Sequence, residues 1–328
     1  MDKVSRIDGR EYTLIAQLPA LVGEAGYVIC EDAEGKRFVC PEELWLENVP
    51  QTEQAAPVCT HSSTQEKIEC FLSMFRGREE MYARRYYSTK TGKSGYTPVC
   101  KNEWVQGLCD KRRYKCADCP NRAFVSLNYE AVKAHLRGND PLCRDVAAIY
   151  PMREDNTTWL LAADFDDADV AAFRKCCTVP GLTPAVERSR SGNGAHVWLF
   201  FSEPVSAADA RRLGSGLLTR TMACRHELSF ASYDRLFPTQ DTVPKGGFGN
   251  LIALPFQGQA GGNTLFVDEK FVPYPDQWAF LSTLPKVTPE QLAGLLTMLC
   301  HDGDVGALAE TAEKPVPWRR KRVQRLDR

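Results

Sequence analysis

Two aspartates at the end of an apolar stretch are the first residues whose type and spacing could do chemistry. One residue separates Asp164 from Asp166 in the sequence LLAADFDD. Because side chains alternate along a β-strand, both carboxylates should point to one face. Two like charges so placed repel unless a divalent cation lies between them, and carboxylate oxygens suit Mg²⁺ or Mn²⁺. The pair therefore predicts a metal site, with two solvated acids at a strand end as the simpler alternative.

A glycine turn follows along the chain, in the sequence ERSRSGNGAHVWLFF. Gly192 and Gly194 allow a ligand to approach the backbone closely. The Arg190 guanidinium and the N–H groups around Ser191 suit phosphate oxygens, and His196 begins the next strand. A tight hairpin with an exposed arginine and a packed histidine explains the turn taken alone. The combination of these five residues favours a site for a nucleoside triphosphate.

A third stretch, SYDRLFPTQDTVPKGGFGN, adds an acid and a lysine. Asp234 lies in a β-like segment and could complete a three-carboxylate metal site, for which Asp241 competes. Lys245 lies in a glycine-rich loop from which it could reach phosphate, although an ordinary surface loop would have the same residues. Two acids, a basic glycine turn and a third acid suit two-metal nucleotidyl transfer, in which two Mg²⁺ or Mn²⁺ ions act on the primer 3′-hydroxyl and cations neutralise pyrophosphate.

Four cysteines indicate a structural zinc site. The chain has thirteen cysteines, an odd number with irregular spacing, which argues against a secreted disulfide framework. A C-x₈-C-x₆-C-x₂-C pattern, in a segment with few aliphatic residues, matches a closed tetrahedral Zn²⁺ site. A redox CxxC pair would not explain the other two thiols, and Cys59 with His61 is better interpreted as linker. The predicted zinc ligands are Cys100, Cys109, Cys116 and Cys119.

A basic, aromatic stretch lies before these cysteines. Apolar spacing predicts one helix over EKIECFLSMFRGREEMYARRYY, with its aromatic side chains mostly in the core. Aromatic and basic residues together also suit a single-stranded template, since bases stack and phosphates pair. The arginines expected to bind nucleic acid are Arg76, Arg78, Arg84 and Arg85.

Composition and patterning give the organisation of the chain. Its 328 residues are 43% hydrophobic and 25% charged, with a net charge of −1, as in an ordinary globular protein. We find no apolar run of about eighteen residues and no signal-peptide core, so we expect a cytoplasmic protein without membrane contact. Short strands mixed with amphipathic helices predict an α+β or α/β core. The predicted segments are a small β module at 1–50, a linker at 51–65, a main domain at 66–300 with a zinc-binding segment at 96–123 and a catalytic core at 147–300, and a basic tail at 301–328.

Three long motifs resemble the archaeo-eukaryotic primase superfamily: ADFD, SRSGNGAHVW and SYDRLFPTQDTVPKGGFGNLIALP. The chain looks most like the primase-polymerase domain of TOTE conflict systems, from about Phe71 to Leu284, and is similar to primase-polymerases associated with CRISPR loci. The resemblance implies an α+β fold with an RRM-like catalytic core, preceded by a zinc-binding, partly helical half. It also implies Asp164 and Asp166 as metal ligands, His196 as a nucleotide contact and Asp234 as the third acid.

The resulting expectation is a template-dependent DNA or RNA primase-polymerase that works in a mobile-element or phage-defence conflict system. Its partners would be single-stranded DNA or RNA template, primer and (d)NTPs, with helicase or nuclease partners as in TOTE proteins. A non-catalytic zinc-containing nucleic-acid-binding module is one alternative, but it leaves the three acids unexplained. A metal-dependent nuclease or a DxD glycosyltransferase fits the acid pair but not the basic turn or the basic aromatic stretch.

Overall fold

The computed structural model describes residues 4–7, 10–18, 26–47, 56–166, 170–224, 233–243 and 247–299. Contacts within the chain divide it into two units, Met1–Ala56 and Pro57–Arg328. Lys245 and the basic tail predicted at 301–328 lie outside the described residues, as do parts of the linker. Among the described residues, no helix is long and apolar enough to cross a membrane.

The first unit contains an antiparallel sheet of strands in sequential order. Alternating side chains of this sheet pack against a short helix. The buried centre of the unit consists of Val28, Cys30 and Cys40 from the sheet and Trp45 from the helix. Gly35 turns the third strand into the fourth with a positive φ of 81°, which glycine adopts without strain. The elements are β1 (Val4–Ile7), β2 (Arg10–Leu18), β3 (Tyr27–Glu31), β4 (Arg37–Pro41) and α1 (Glu42–Glu47).

The second unit mixes helices with two further antiparallel sheets, which confirms the α+β prediction. Its strands are β5 (Ala83–Tyr87), β6 (Ser94–Pro98), β7 (Ala147–Ile149), β8 (Thr157–Asp166), β9 (Ala185–Arg188), β10 (Gly194–Ser206), β11 (Tyr233–Phe237) and β12 (Ile252–Ala253). Its helices are α2 (Thr64–Met74), α3 (Tyr129–Arg137), α4 (Val170–Thr178), α5 (Ala207–Cys224), α6 (Gln277–Thr283) and α7 (Pro289–Leu299), with a 3₁₀ turn at Cys116–Asp118.

The sheet with the order β11-β8-β10-β9 separates two cores. Leu161, Ala163 and Phe165 of β8 alternate with Leu160 and Ala162, so the two sets point to opposite faces. The first set packs in a core to which α4, α5 and α7 contribute. The second set packs in a core shared with α2, α3, α6 and the β12-β7-β5-β6 sheet. Alternation therefore places the side chain of residue 164 on the side of the second sheet.

The single helix predicted from Glu66 to Tyr87 is wrong. Helix α2 begins at a capping box formed by Ser63 and Glu66 and ends at Met74. Beyond it the chain passes so close to Tyr150 that a Cβ on Gly77 would lie 2.4 Å from the Tyr150 carbonyl oxygen. The ARRYY segment then forms strand β5 between β6 and β7. Pairing with β6 across a hairpin and with the distant strand β7 overrides the local helical spacing, because the sheet supplies hydrogen-bond partners for the backbone.

Candidate active site

Strands β8 and β10 bring the first predicted acid and the predicted histidine face to face. Their antiparallel register pairs Asp164 with His196 and Asp166 with Gly194. Nε2 of His196 lies 3.6 Å from Oδ1 of Asp164, and both side chains are mostly buried. Directly opposed residues on paired strands share a face of the sheet. The structure therefore joins two separate sequence motifs in one site.

Glu187 of β9 lies on the other side of the histidine and was missed by the sequence analysis. Its side chain is 1% exposed, and its Oε2 atom accepts hydrogen bonds from Nδ1 of His196 at 3.1 Å and from Nε1 of Trp198 at 2.8 Å. Burial lowers the pKa of His196, but the charge and hydrogen bond of Glu187, with the charge of Asp164, raise it above its usual value overall. A charged residue in the otherwise apolar run PAVE is the one sequence signal that could have identified Glu187.

The predicted glycine turn connects β9 to β10. Gly192 has a φ of 81° and donates its N–H to the Ser189 carbonyl, while the hydroxyls of Ser189 and Ser191 lie 3.1 Å apart. A Cβ on Gly194 would lie 2.5 Å from the Phe165 carbonyl oxygen, so close approach of β8 requires glycine there. The turn is thus a hairpin that leads into the strand of His196. The close approach of β8 already explains the glycine at position 194, whether or not Gly194 contacts a ligand.

A loop after β12 anchors Arg190. Its Nη1 donates to Oε1 of Gln257 at 2.7 Å, and Nδ2 of Asn263 donates to its carbonyl oxygen at 3.1 Å. Gln257 is buried and also bonds to the Leu254 carbonyl and to Oγ1 of Thr264. These bonds hold the guanidinium in one place instead of leaving it free on a surface loop. Neither Gln257 nor Asn263 has a sequence signal that links it to Arg190.

The backbone of β11 shows where Asp234, the predicted third acid, lies. Strand β11 pairs with β8 through Tyr233 opposite Phe165 and Arg235 opposite Asp164, with a bulge between the two pairs. Asp234 occupies that bulge, although its side chain and that of Asp166 lie outside what the structure describes. The competing Asp241 forms an ion pair with Arg211 of α5. Lys245 lies outside the described residues.

The four predicted zinc ligands line one small cavity. Cys100, Cys109, Cys116 and Cys119 all face it, and the Ala123 N–H donates to Sγ of Cys100 at 3.3 Å. Burial raises the pKa of Cys116; Lys111 opposes this shift, and the nearby Cys109 and Cys100 thiols add to it. Among the described residues, no three His, Cys, Asp or Glu side chains stand so that they could hold a metal ion.

The four predicted nucleic-acid-binding arginines separate into two pairs. Arg76 stacks 4.3 Å from the Trp159 ring, and Arg78 is buried in ion pairs with Glu80 and Glu154. Those ion pairs argue against Arg78 as a phosphate contact. Arg84 is half-exposed, and Nη1 of Arg85 donates to the Leu142 carbonyl at 2.7 Å. The second pair lines a large groove and the first lines a different cavity.

The protein therefore has an α+β fold in which a carboxylate and a histidine face each other at a strand end, beside a glycine turn. Sites of this class are suited to phosphate chemistry. The chain belongs to the family described as the TOTE conflict system, Archaeo-Eukaryotic Primase domain, whose model matches residues 66–295. This match confirms the resemblance drawn from the motifs.

The chain was also compared with solved structures and with curated proteins. The polymerase domain of Mycobacterium tuberculosis ligase D, solved in complex with DNA, is similar over 74% of this chain and 90% of that one, at 14% identity and a TM-score of 0.35. No curated protein matches the chain.

Proposed function

We propose that this chain is a template-dependent primase-polymerase, which transfers nucleotides from (d)NTPs to a 3′-hydroxyl on a DNA or RNA template. The observation that carries the proposal is the opposition of Asp164 and His196 on paired strands, within a domain of the archaeo-eukaryotic primase family. The family name further supports a role in a conflict system, with helicase or nuclease partners.

The donor set fits divalent metal ions. Asp164 and Asp166 lie two residues apart on β8, and Asp234 lies on the neighbouring strand at the same end. The ion pair of Asp241 with Arg211 favours Asp234 as the third ligand. Two Mg²⁺ or Mn²⁺ ions held by these three acids would lower the pKa of the 3′-hydroxyl and stabilise the transferring phosphate.

The remaining residues bind and orient the nucleotide. Glu187 fixes the ring of His196 through Nδ1 and leaves Nε2 free to face the nucleotide, where the protonated ring would donate to a phosphate oxygen. Arg190, anchored by Gln257, supplies positive charge from the turn before β10 and would neutralise the leaving pyrophosphate. Ser191 adds donors suited to the same phosphates.

Zinc at the cysteine segment is part of the same proposal. Four thiols around one cavity are the donor chemistry of a closed structural Zn²⁺ site, and the Ala123 N–H already points at one of them. Such a site would stabilise residues 96–123, which contain few aliphatic side chains of their own. No catalytic step is assigned to it.

One incubation tests the function. Purified full-length chain is mixed with a single-stranded template, annealed primer, labelled dNTPs or NTPs and Mn²⁺. Extension of the primer supports a primase-polymerase, and product formed without primer adds priming. Cleavage of the template would instead identify a nuclease. Binding without either reaction would identify a non-catalytic nucleic-acid-binding module.

A further inference from the structure

A groove beside strand β5 carries side chains that the proposed nucleotidyl transfer does not use. It encloses about 920 Å³ between β5, β6, the cysteine segment and α3, and we call it the β5 groove. That volume is near the top of the range of about 300–1,000 Å³ for small-molecule pockets. Its aromatic lining is Tyr82, Tyr86, Tyr87, Tyr96 and Trp104, and its basic lining is Arg84, Arg85, Lys111 and Arg144.

Trp104 is the most unusual of these residues. It is 75% exposed, although large aromatic side chains usually bury most of their surface. Its φ of 64° lies in the left-handed region, which a bulky side chain rarely adopts and which tends to mark functional sites. Nζ of Lys111 lies 4.4 Å from the centre of its ring. Trp104 is therefore a largely exposed ring with a cation over one of its faces, and Tyr86, 44% exposed, adds a second ring in the groove.

The charges of the β5 groove are nearly balanced. Three acids line it along with the four cations, namely Glu103, Asp140 and Asp145. Glu103 pairs with Lys111 at 2.7 Å and with Arg84 at 3.7 Å. A duplex presents mainly its phosphates and would need a stronger excess of positive charge. A single strand can also offer unpaired bases to the aromatic rings, so the composition of the groove favours a single strand.

Charges of the candidate active site act on one residue of β6. Burial raises the pKa of Tyr96, whereas the charges of Arg190 and Arg85 lower it and that of Glu187 raises it, so both Arg190 and Glu187 influence Tyr96. Tyr96 also lines the groove.

We infer that the β5 groove binds single-stranded nucleic acid, with a base stacked on Trp104 beside Lys111. The inference deepens the proposed function and rests on it, since it gives a path to the single-stranded template. Affinity would come mainly from stacking, so it should depend less steeply on salt than binding by many phosphates.

The experiment measures binding of a fluorescein-labelled oligo(dT) strand to the full chain by anisotropy. Trp104→Ala should weaken binding roughly five- to a hundredfold, because loss of one stacked base costs that much. Trp104→Phe should keep most of the affinity but lose the quenching of tryptophan fluorescence that oligo(dT) causes in the parent. Val272→Ala, an exposed apolar residue outside the groove, serves as the matched control and should bind like the parent. Thermal melting of each variant checks that the fold is kept.

Extension assays separate failure of this inference from failure of the proposed function. Trp104→Ala should raise the KM for template by about the factor seen in binding and leave the KM for nucleotide unchanged, because Trp104 lies outside the candidate active site. If the folded variant binds oligo(dT) like the parent while the parent extends primers, the inference is overturned and the function stands; the exposed Trp104 would then be better explained as a contact for a protein partner. A parent that neither binds nor extends would overturn both.

Discussion

Glu187 holds His196 from the strand next to it, through a hydrogen bond of 3.1 Å between Oε2 and Nδ1. A buried carboxylate is costly unless it is paired and hydrogen-bonded, and this one also accepts from Trp198 through the same oxygen. The hydrogen bond between Glu187 and Nδ1 of His196 leaves Nε2 as the nitrogen that faces Asp164. Glu187 is therefore a positioning residue, which acts on the candidate active site through the histidine.

The first prediction removes the charge of Glu187 and keeps its shape. Because both donors reach one oxygen, Glu187→Gln can retain both hydrogen bonds through its amide oxygen. We expect nucleotide affinity to fall on the order of tenfold, since a charge-assisted bond that orients His196 is weakened. Isothermal titration with a non-hydrolysable dNTP measures the effect.

A double-mutant cycle provides the control for Glu187. If Glu187 acts through the histidine, Glu187→Gln should have little further effect in a His196→Ala background. Losses that simply add would show that Glu187 affects nucleotide binding by another route.

The second prediction separates nucleotide binding from template binding. His196→Ala should weaken nucleotide binding roughly ten- to a hundredfold, because a charge-assisted contact is lost, while the affinity for a single-stranded template is kept. Arg84→Ala with Arg85→Ala should do the reverse, weakening template binding and making it less dependent on salt. Titrations of both variants with nucleotide and with template measure this. If His196→Ala bound nucleotide like the parent, the glycine turn would be only a hairpin.

The sequence predicted strand β8 and helix α3 because their signals are local. Apolar residues run into a polar end in β8, and Gly138 follows α3 with a φ of 59°. Strand β5 could not be predicted in this way. Its spacing also suits a helix, and the partners that decide the matter are β6, across a hairpin loop, and β7, which is distant in the chain.

The same distinction between local signals and partners on other elements applies to the residues of the candidate site. Asp164 and His196 could be identified because each belongs to a short motif of suggestive residue types. Gln257 could not, and Glu187 offered only its charge in an apolar run, since what makes both important is a partner on another element. Glu187 becomes significant only when strand register places it opposite His196. Gln257 becomes significant only when its loop folds back onto Arg190.

The third prediction tests the acid pair. Replacing Asp164 and Asp166 together with Asn should abolish primer extension, because Asn cannot supply the negative charge that a divalent cation needs. The fold should survive, since Asn has nearly the same shape and the change removes like-charge repulsion. Primer extension and thermal melting measure the two effects. Glu203→Gln, an exposed acid of β10 outside the site, should extend like the parent, and retained synthesis in the double variant would disprove the assignment.

The fourth prediction concerns zinc. Purified protein should contain about one tightly bound Zn²⁺ per chain, and Cys116→Ser should lose the metal and give less soluble protein. Cys59→Ser, which alters a thiol outside the segment, should keep both metal and yield. Elemental analysis and melting with and without a chelator measure this. Active parent protein without zinc would show that the four thiols are ordinary side chains around a cavity.

The last prediction is a pH dependence of stability that His135 creates. This side chain is completely buried in α3; its Nε2 donates to the Pro255 carbonyl at 2.7 Å, and its Nδ1 accepts from the Ala147 N–H at 3.1 Å. The ring is therefore neutral, and a proton on Nδ1 would break the second bond. Burial lowers the pKa of His135 from 6.5 to about 4, although its hydrogen bond to Pro255 opposes the shift.

The sign of the His135 effect follows from the direction of that shift. Between pH 6.5 and 4 the unfolded chain binds a proton that the folded chain excludes, so stability is full above about pH 6.5 and falls as pH drops toward 4, by up to ~3 kcal/mol. His135→Gln can keep both hydrogen bonds without titrating. It should therefore lose this part of the acid sensitivity, whatever its stability at neutral pH. Urea unfolding at pH 7.5 and pH 5 measures the change, with exposed His61→Gln as the matched control. Equal losses between the two pH values in His135→Gln and in the parent would contradict the prediction.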